Sequence, residues 1–220
     1  MTTEQRILII LFGFFFVVLG SGIGLFITRG SLQQADRAER LDPLSAPAIA
    51  QAAHGQEVLV QGVISSATPK LRHEFVAYRE ERLERDSDGD LVWRRVGTTT
   101  QPLTLEVEGV IQISNRDYQL QGSHVNYQSI SWDRYGDRRY SGIVHGHTVT
   151  VIGSIVQDGA GNTINAQIVF AGTHEQYIGE QKLGLSVSFF IGLIFVTFGM
   201  LVMIYGIAVR SSAGVPHVRQ

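Results

Sequence analysis

The sequence predicts a membrane protein in which two transmembrane helices flank a mainly-β domain, a small barrel or sandwich of OB-like type. Three observations carry that expectation. Two apolar runs, Ile7–Thr28 and Leu183–Val209, are each long enough at about 1.5 Å per residue to cross a hydrocarbon core of about 30 Å. Between them the apolar residues leave helical spacing and alternate, with Val58 and Val60 on one side and Leu59 and Gln61 on the other, as half-buried strands do. A phrase also recurs: His54–Ile64 returns as His145–Ile155, matched at His54/His145, Gly55/Gly146, Val58/Val149, Val60/Val151, Gly62/Gly153 and Ile64/Ile155.

Taken in order, residues 7–28 read as a signal-anchor helix. The alternative is a cleavable signal peptide, with Arg6 as its basic region, Ile7–Leu19 as its apolar region and Gly20, Ser21 and Gly22 at the cleavage point. Residues 29–54 form a juxtamembrane helical connector: charged helix formers to Leu41, Pro43 as punctuation, then a short Ala-rich helix from Pro47 to Ala53 with Gly55 past its end. Residues 55–170 are the β-rich domain. Strands are expected at 55–64, His73–Arg85 and Leu91–Val96, the last two joined by a turn at Asp88-Gly89, then at Leu103–Val107, Val110–Ser114, Val125–Ser131, His147–Val156 and Thr163–Phe170. Closing such a sheet removes its exposed edges.

The recurring phrase reads as two equivalent strands of one domain and not as a duplication, because the hairpin at Asp88-Gly89 has no counterpart after Gly153. Val58, Val60, Val149 and Val151 are then expected to point into one core, with Gly62 and Gly153 at bends that close the sheet. Residues 183–209 are the second transmembrane helix and 210–220 a short polar tail. Two crossings place both termini on one side. The Lys/Arg distribution is undecided, with Arg6, Arg210 and Arg219 against Arg29, Arg37, Arg40 and Lys182. The signal-like N-terminus sets both termini in the cytoplasm and the β domain in the periplasm or outside the cell.

Gly192, Gly199 and Gly206 recur every seven residues in the second span, and Gly13 and Gly20 repeat the spacing in the first, with Gly24 four further on. On helices these form stripes where another backbone can approach closely, so the spans are expected to pack on each other or on a partner. Membrane lipid and a further membrane protein, or a second copy of the chain, are the expected partners.

Composition removes several chemistries. A net charge of −2 gives no electrostatic footprint for nucleic acid. With no cysteine there is no disulfide, no thiolate nucleophile and no Cys-based metal site. Asp86–Asp90 begins like a calcium loop, but Leu91 and Gly97 stand where an EF-hand needs Gly and Glu. His145 and His147 would share a strand face but lack a third ligand, and a turn role suits them better. No nucleophile-elbow motif frames any serine, and Gly159–Gly161 leads to a strand where dinucleotide binding needs a helix. No catalytic residue, metal or cofactor is therefore expected. Trp93, Trp132, Tyr127, Tyr135 and Tyr140, set among polar neighbours, form a candidate recognition surface, against the alternative that strand aromatics pack the core.

The run Gly55–Ile64, then Phe75–Glu81, a charged hairpin with Trp93, Pro102–Val107 and Gly109–Ile113 resembles the domain of the GIDE/Mulan membrane-anchored E3 ubiquitin ligases. The resemblance covers roughly Gly55–Val209. It implies a β-rich domain between two membrane helices, both termini in the cytosol and the domain on the far side. Those ligases end in a zinc-binding RING of Cys and His, whereas this chain has no cysteine, so ligase activity does not carry over. The expectation is a non-enzymatic scaffold or recognition module for protein partners. The alternatives are a sensor or accessory subunit for a small ligand or lipid and, last, a membrane-bound hydrolase.

Overall fold

The computed structural model describes residues 3–122, 125–128, 134–159 and 161–208. They fall into two units, Met1–Arg37 with Gly179–Gln220, and Ala38–Ile178. In chain order the elements are helices α1 (Thr3–Glu39) and α2 (Ala46–Gln51), strands β1 (Glu57–Ile64), β2 (Phe75–Arg85), β3 (Leu91–Thr99), β4 (Leu103–Glu106), β5 (Val110–Ile113), β6 (Gln119–Gly122), β7 (Val125–Gln128), β8 (Arg138–Val144), β9 (Thr148–Asp158) and β10 (Gly161–Ala171), and helix α3 (His174–Ala208).

By length and composition α3 is able to cross a membrane, whereas the apolar stretch of α1, Ile7–Gly22, is shorter. Both helices outrun their apolar segments. The connector after residue 28 continues α1 to Glu39 as one helix. Helix α3 begins at His174 and not at Leu183 because Thr173 and Gln176 cap it reciprocally. The Gln176 amide N–H donates to Thr173 Oγ1 (3.3 Å) and the Thr173 N–H donates to Gln176 Oε1 (2.9 Å), a capping box that satisfies two donors otherwise left bare at a helix start.

The β unit is a closed five-stranded barrel. Strands run in the order β5-β4-β1-β9-β10, and β10 returns to β5. Every pairing is antiparallel except the last, which is parallel at Ile164 and Ile113. Strand β6 continues alongside β10 in parallel over Ile168–Ala171, so β10 has β5 for a neighbour along its first half and β6 along its second. The changeover falls at the bulge between Ala166 and Ile168. There Asn115 stands in for a strand residue: its Nδ2 donates to Ala166 O and its Oδ1 accepts from Ala166 N, both at 2.8 Å, which pairs backbone groups the bulge would otherwise orphan.

Val58, Val60, Val149 and Val151 share the barrel core with Ile64, Leu105, Ile113, Ile155 and Ile164. Burying each of these side chains contributes about 1.5–3 kcal/mol. Ile49 of α2 closes one end of this core, and Asn162 holds α2 there by donating to the carbonyls of Ile49 (2.8 Å) and Ala52 (2.9 Å). The outer face of the same strands carries Leu59, Ile152, Ile168 and Phe170, packed with Ala38 and Tyr177.

The recurring phrase has a structural cause. Its two copies are the neighbouring antiparallel strands β1 and β9, in register with Val60 opposite Val151, Val58 opposite Gly153 and Gly62 opposite Val149. Matched residues are thus related by a local two-fold through the Val60–Val151 pair. The relation extends to the ends: Gly55 N donates to Ile155 O (2.8 Å) and Gly146 N to Ile64 O (2.9 Å), while Ile155 N donates to Gln56 O and Ile64 N to His147 O, both 2.9 Å. Gly55 (φ +78) and Gly146 (φ +77) adopt the same left-handed turn that starts each copy, a conformation glycine takes without steric cost. At Gly62 and Gly153 the next strand comes close, so that a Cβ would stand 2.3 Å from Val107 Cγ2 and from Asn165 O respectively.

Candidate functional site

Two long connections of the barrel leave it and meet. Between β1 and β4 the chain makes the hairpin β2–β3, and between β5 and β9 it makes β7 and β8; together they form a second, four-stranded sheet in the order β3-β2-β8-β7. Strand β8 was not expected from its sequence, and neither was β6. The hairpin turns where the sequence places it: Asp86 Oδ1 accepts from the N–H groups of Asp88 (3.0 Å) and Asp90 (2.9 Å), and Gly89 has φ +90. That is an Asx-type turn and not a cation loop.

The sheet is pinned to the barrel at its root. Val76, Ala77 and Ile143 enter the barrel core. Thr68, 2% exposed, hydrogen-bonds Thr104 through its hydroxyl in both directions (3.0 and 3.3 Å). His145 Nε2–H donates to Thr68 O at 2.6 Å. His145 therefore holds a turn, while burial pushes the pKa of His147 down. Among the described residues no group of three or more His, Cys, Asp or Glu comes together in a way that could hold a metal ion.

Farther out the two faces differ. On one, Tyr140 lies opposite both Glu80 and Tyr127. Tyr140 meets Tyr78 edge-on at 5.7 Å, His73 stacks on Tyr127 at 3.9 Å, and the Arg72 guanidinium stands 4.7 Å over the Tyr140 ring. Arg138 bonds Glu80 at 2.6 Å, and its pKa is raised first by a hydrogen bond with Tyr140 and then by the charge of Glu80. His73 adopts φ +52, strained for a residue with a side chain, and this turn lays its ring on Tyr127. On the other face Arg139 pairs with Glu81 and covers Trp93 at 4.6 Å, beside the buried Leu83. A depression of about 350 Å³ lies at the β7 side, lined by Glu81, Asn126, Tyr127, Arg139, Tyr140 and Ser141.

Trp93, Tyr127 and Tyr140 thus lie on this one sheet, and Tyr135 is in the turn leading to β8, 61% exposed. Tyr140, only 5% exposed, packs within the sheet and offers little open surface. Trp132 lies outside the described residues. The arginines and His73 that frame the aromatics were missed, and the only local signal was the alternating charge of residues 79–85.

In the helical unit the structure brings Gly13 to Gly199 and Gly20 to Gly192. A Cβ on Gly13 would lie 2.7 Å from Gly199 O, and one on Gly20 2.8 Å from Gly192 O. Gly206 faces Ile10 at 3.0 Å, and Phe16 stacks on Phe195 at 5.8 Å. These contacts join α1 and α3 in antiparallel sense. Gly24 lies in α1, and its surroundings fall outside the description.

No protein-family model matches the chain, and neither a curated protein nor a solved structure matches it.

Proposed function

We propose that the chain is a membrane-anchored, non-enzymatic recognition module that binds protein partners through the sheet β3-β2-β8-β7. One observation carries this reading: the sheet is built from two connections that barrel closure does not need, and it presents Trp93 under the Arg139 guanidinium beside a depression of about 350 Å³ lined by Arg139 and Tyr127. Aromatic and arginine side chains in such settings dominate protein recognition. The apolar length of α3 and the glycine contacts between α1 and α3 support anchoring by two helices in lipid. In this reading both termini are cytoplasmic and the barrel is periplasmic or outside the cell.

The strand order, a three-strand meander returning through a parallel pair, supports an OB-type barrel. Kinship with the GIDE-type domain belongs to the same proposal. It is supported by the residues quoted for it, which fall on β1, β2, β4 and β5.

Affinity capture of the full chain in mild detergent, followed by mass spectrometry, tests the reading. The expected result is a partner retained by the native chain and lost when Trp93 and Tyr127 are both replaced by Ala. Recovery of the chain as a lone monomer at every concentration would overturn it. Digestion of intact spheroplasts tests the orientation, with the β domain expected to be cut and the termini protected.

A further inference from the structure

A second concavity, of about 390 Å³, lies between the outlying sheet and the barrel's side strand β6, lined by Arg79, Arg95 and Thr98 on one wall and Tyr118, Gln119 and Gln121 on the other. Among the described residues its walls carry two guanidiniums and no carboxylate. Glu81 stands opposite Arg95 across the strands and pairs with Arg139. Arg79 is half-buried, and its Nε is fully shielded from solvent without a hydrogen-bond partner. Arg95 gives one N–H to Thr98 Oγ1 at 3.1 Å and keeps its other donors. Burial first and then the neighbouring charge of Arg95 press the pKa of Arg79 down, against a smaller opposing effect of Glu81. Two like charges held together, one with a shielded donor unmet, form an arrangement that a bound anion would relieve.

We propose that this cleft binds a phosphomonoester. Two guanidiniums match the charge of about −1.5 to −2 that such a group carries. Their forked donors suit its tetrahedral oxygens, and the volume leaves room for a small organic remainder. The hydroxyl of Tyr118 donates to Gln101 O at 2.9 Å, and burial raises its pKa, so it presents a neutral wall and no competing charge. The phosphomonoester comes either from a soluble phosphorylated metabolite or from a lipid headgroup of the phosphatidic acid kind. Arg79 and Arg95 lie on the same sheet face as Trp93, but they are not among the residues that line the other depression.

The test is calorimetric titration of the full chain, in micelles of a neutral detergent, with inorganic phosphate and with glycerol phosphate. Saturable binding is expected, weakened about tenfold to a hundredfold by Arg79→Gln and by Arg95→Gln, as loss of a charged hydrogen bond implies. Arg94→Gln is the charge-matched control: Arg94 neighbours Arg95 on β3 but pairs with Glu84 across the sheet, and it should leave affinity unchanged. Should Arg79→Gln fail to fold, Arg95, which is exposed, decides alone. Absence of saturable binding would overturn the proposal, as would acetate binding as tightly as phosphate or an equal loss with Arg94→Gln. Adding phosphatidic acid to the micelles separates the sources. A weakened apparent affinity for inorganic phosphate assigns the cleft to the lipid headgroup, and an unchanged one assigns it to a soluble phosphomonoester.

Discussion

Replacing Gly199 by Ala puts one methyl group into the α1–α3 contact, and the geometry fixes what it meets. The new Cβ would stand 2.5 Å from Gly13 O and 2.9 Å from both Val17 N and Val17 Cγ2. Ordinary contact begins near about 3.5 Å, so the helices must part by roughly 1 Å. Gly13 O and Val17 N are backbone atoms and cannot rotate away, and overpacking of this kind costs about 1–3 kcal/mol. Alanine also favours a helix over glycine by about 0.8–1 kcal/mol, which offsets part of the loss. Gly184→Ala isolates that term, because a Cβ there meets nothing within 4 Å. The two variants should therefore differ by about 1–3 kcal/mol, roughly fivefold to a hundredfold in the population of paired helices. The chain has no cysteine, so cysteines introduced at Phe16 and Phe195, whose rings stack at 5.8 Å, report pairing by cross-linking without background. Equal cross-linking of Gly199→Ala and Gly184→Ala would refute the claim that glycine is needed for this approach.

Asn162→Ala removes the hydrogen bonds of its amide to the carbonyls of Ile49, Ala50 and Ala52 at the end of α2, about 0.5–1.5 kcal/mol each. Amide exchange over residues 49–53 should accelerate while the barrel strands stay protected. Phe170→Ala, at a ring 1% exposed and edge-on to Tyr177 at 5.2 Å, should destabilise the β unit by about 3–5 kcal/mol, read as a lowered midpoint in denaturant. The pKa of His147 is pushed down by burial, so the unfolded chain binds the proton more readily than the folded one. Its contribution is present in full above the ordinary histidine value of about 6.5 and is lost as pH falls through it. Thermal stability measured on either side of that value should drop on acidification, and His147→Gln should flatten the dependence.

The legible parts of the fold are those whose signal is local. Strands β1, β9 and β10 are rich in β-branched apolar residues that alternate with polar ones over part of their length, and Asp88-Gly89 declares its turn. Strand β8 begins Arg138-Arg139 and carries Gly142, which reads as a loop. It is a strand because Glu80 and Glu81 stand ready on β2 to take those charges, information that lies 58 residues away. The start of α3 was hidden for a related reason: Thr173 and Gln176 form a capping box, but the first turn is polar, and hydropathy sees only the apolar run. At the candidate site the aromatics were visible as residue types, whereas their company was not. Arg79 and Arg95 acquire meaning only when β6 is set across from them, and β6 is a four-residue strand that exists because β10 bulges at Ala166 and exposes a free edge.

The edges of the outlying sheet bear on how it would recognise a partner. Its outer strands are β3 and β7, and a bare edge invites another strand to pair with it. On β3, Arg94 and Arg95 sit side by side, and a bulge opposite Glu80 and Glu81 breaks the ladder before Gly97. Charge and a bulge on an edge strand discourage indiscriminate strand addition. Strand β7 is described over Val125–Gln128. A route through side chains is open as well: Trp93 lies under the Arg139 guanidinium, which its ion pair with Glu81 fixes before any partner arrives. Rings held in place lose little conformational freedom on binding. Disrupting Arg139 should for that reason weaken a partner's grip more than removal of one exposed charge would, since it frees both Glu81 and the Trp93 ring.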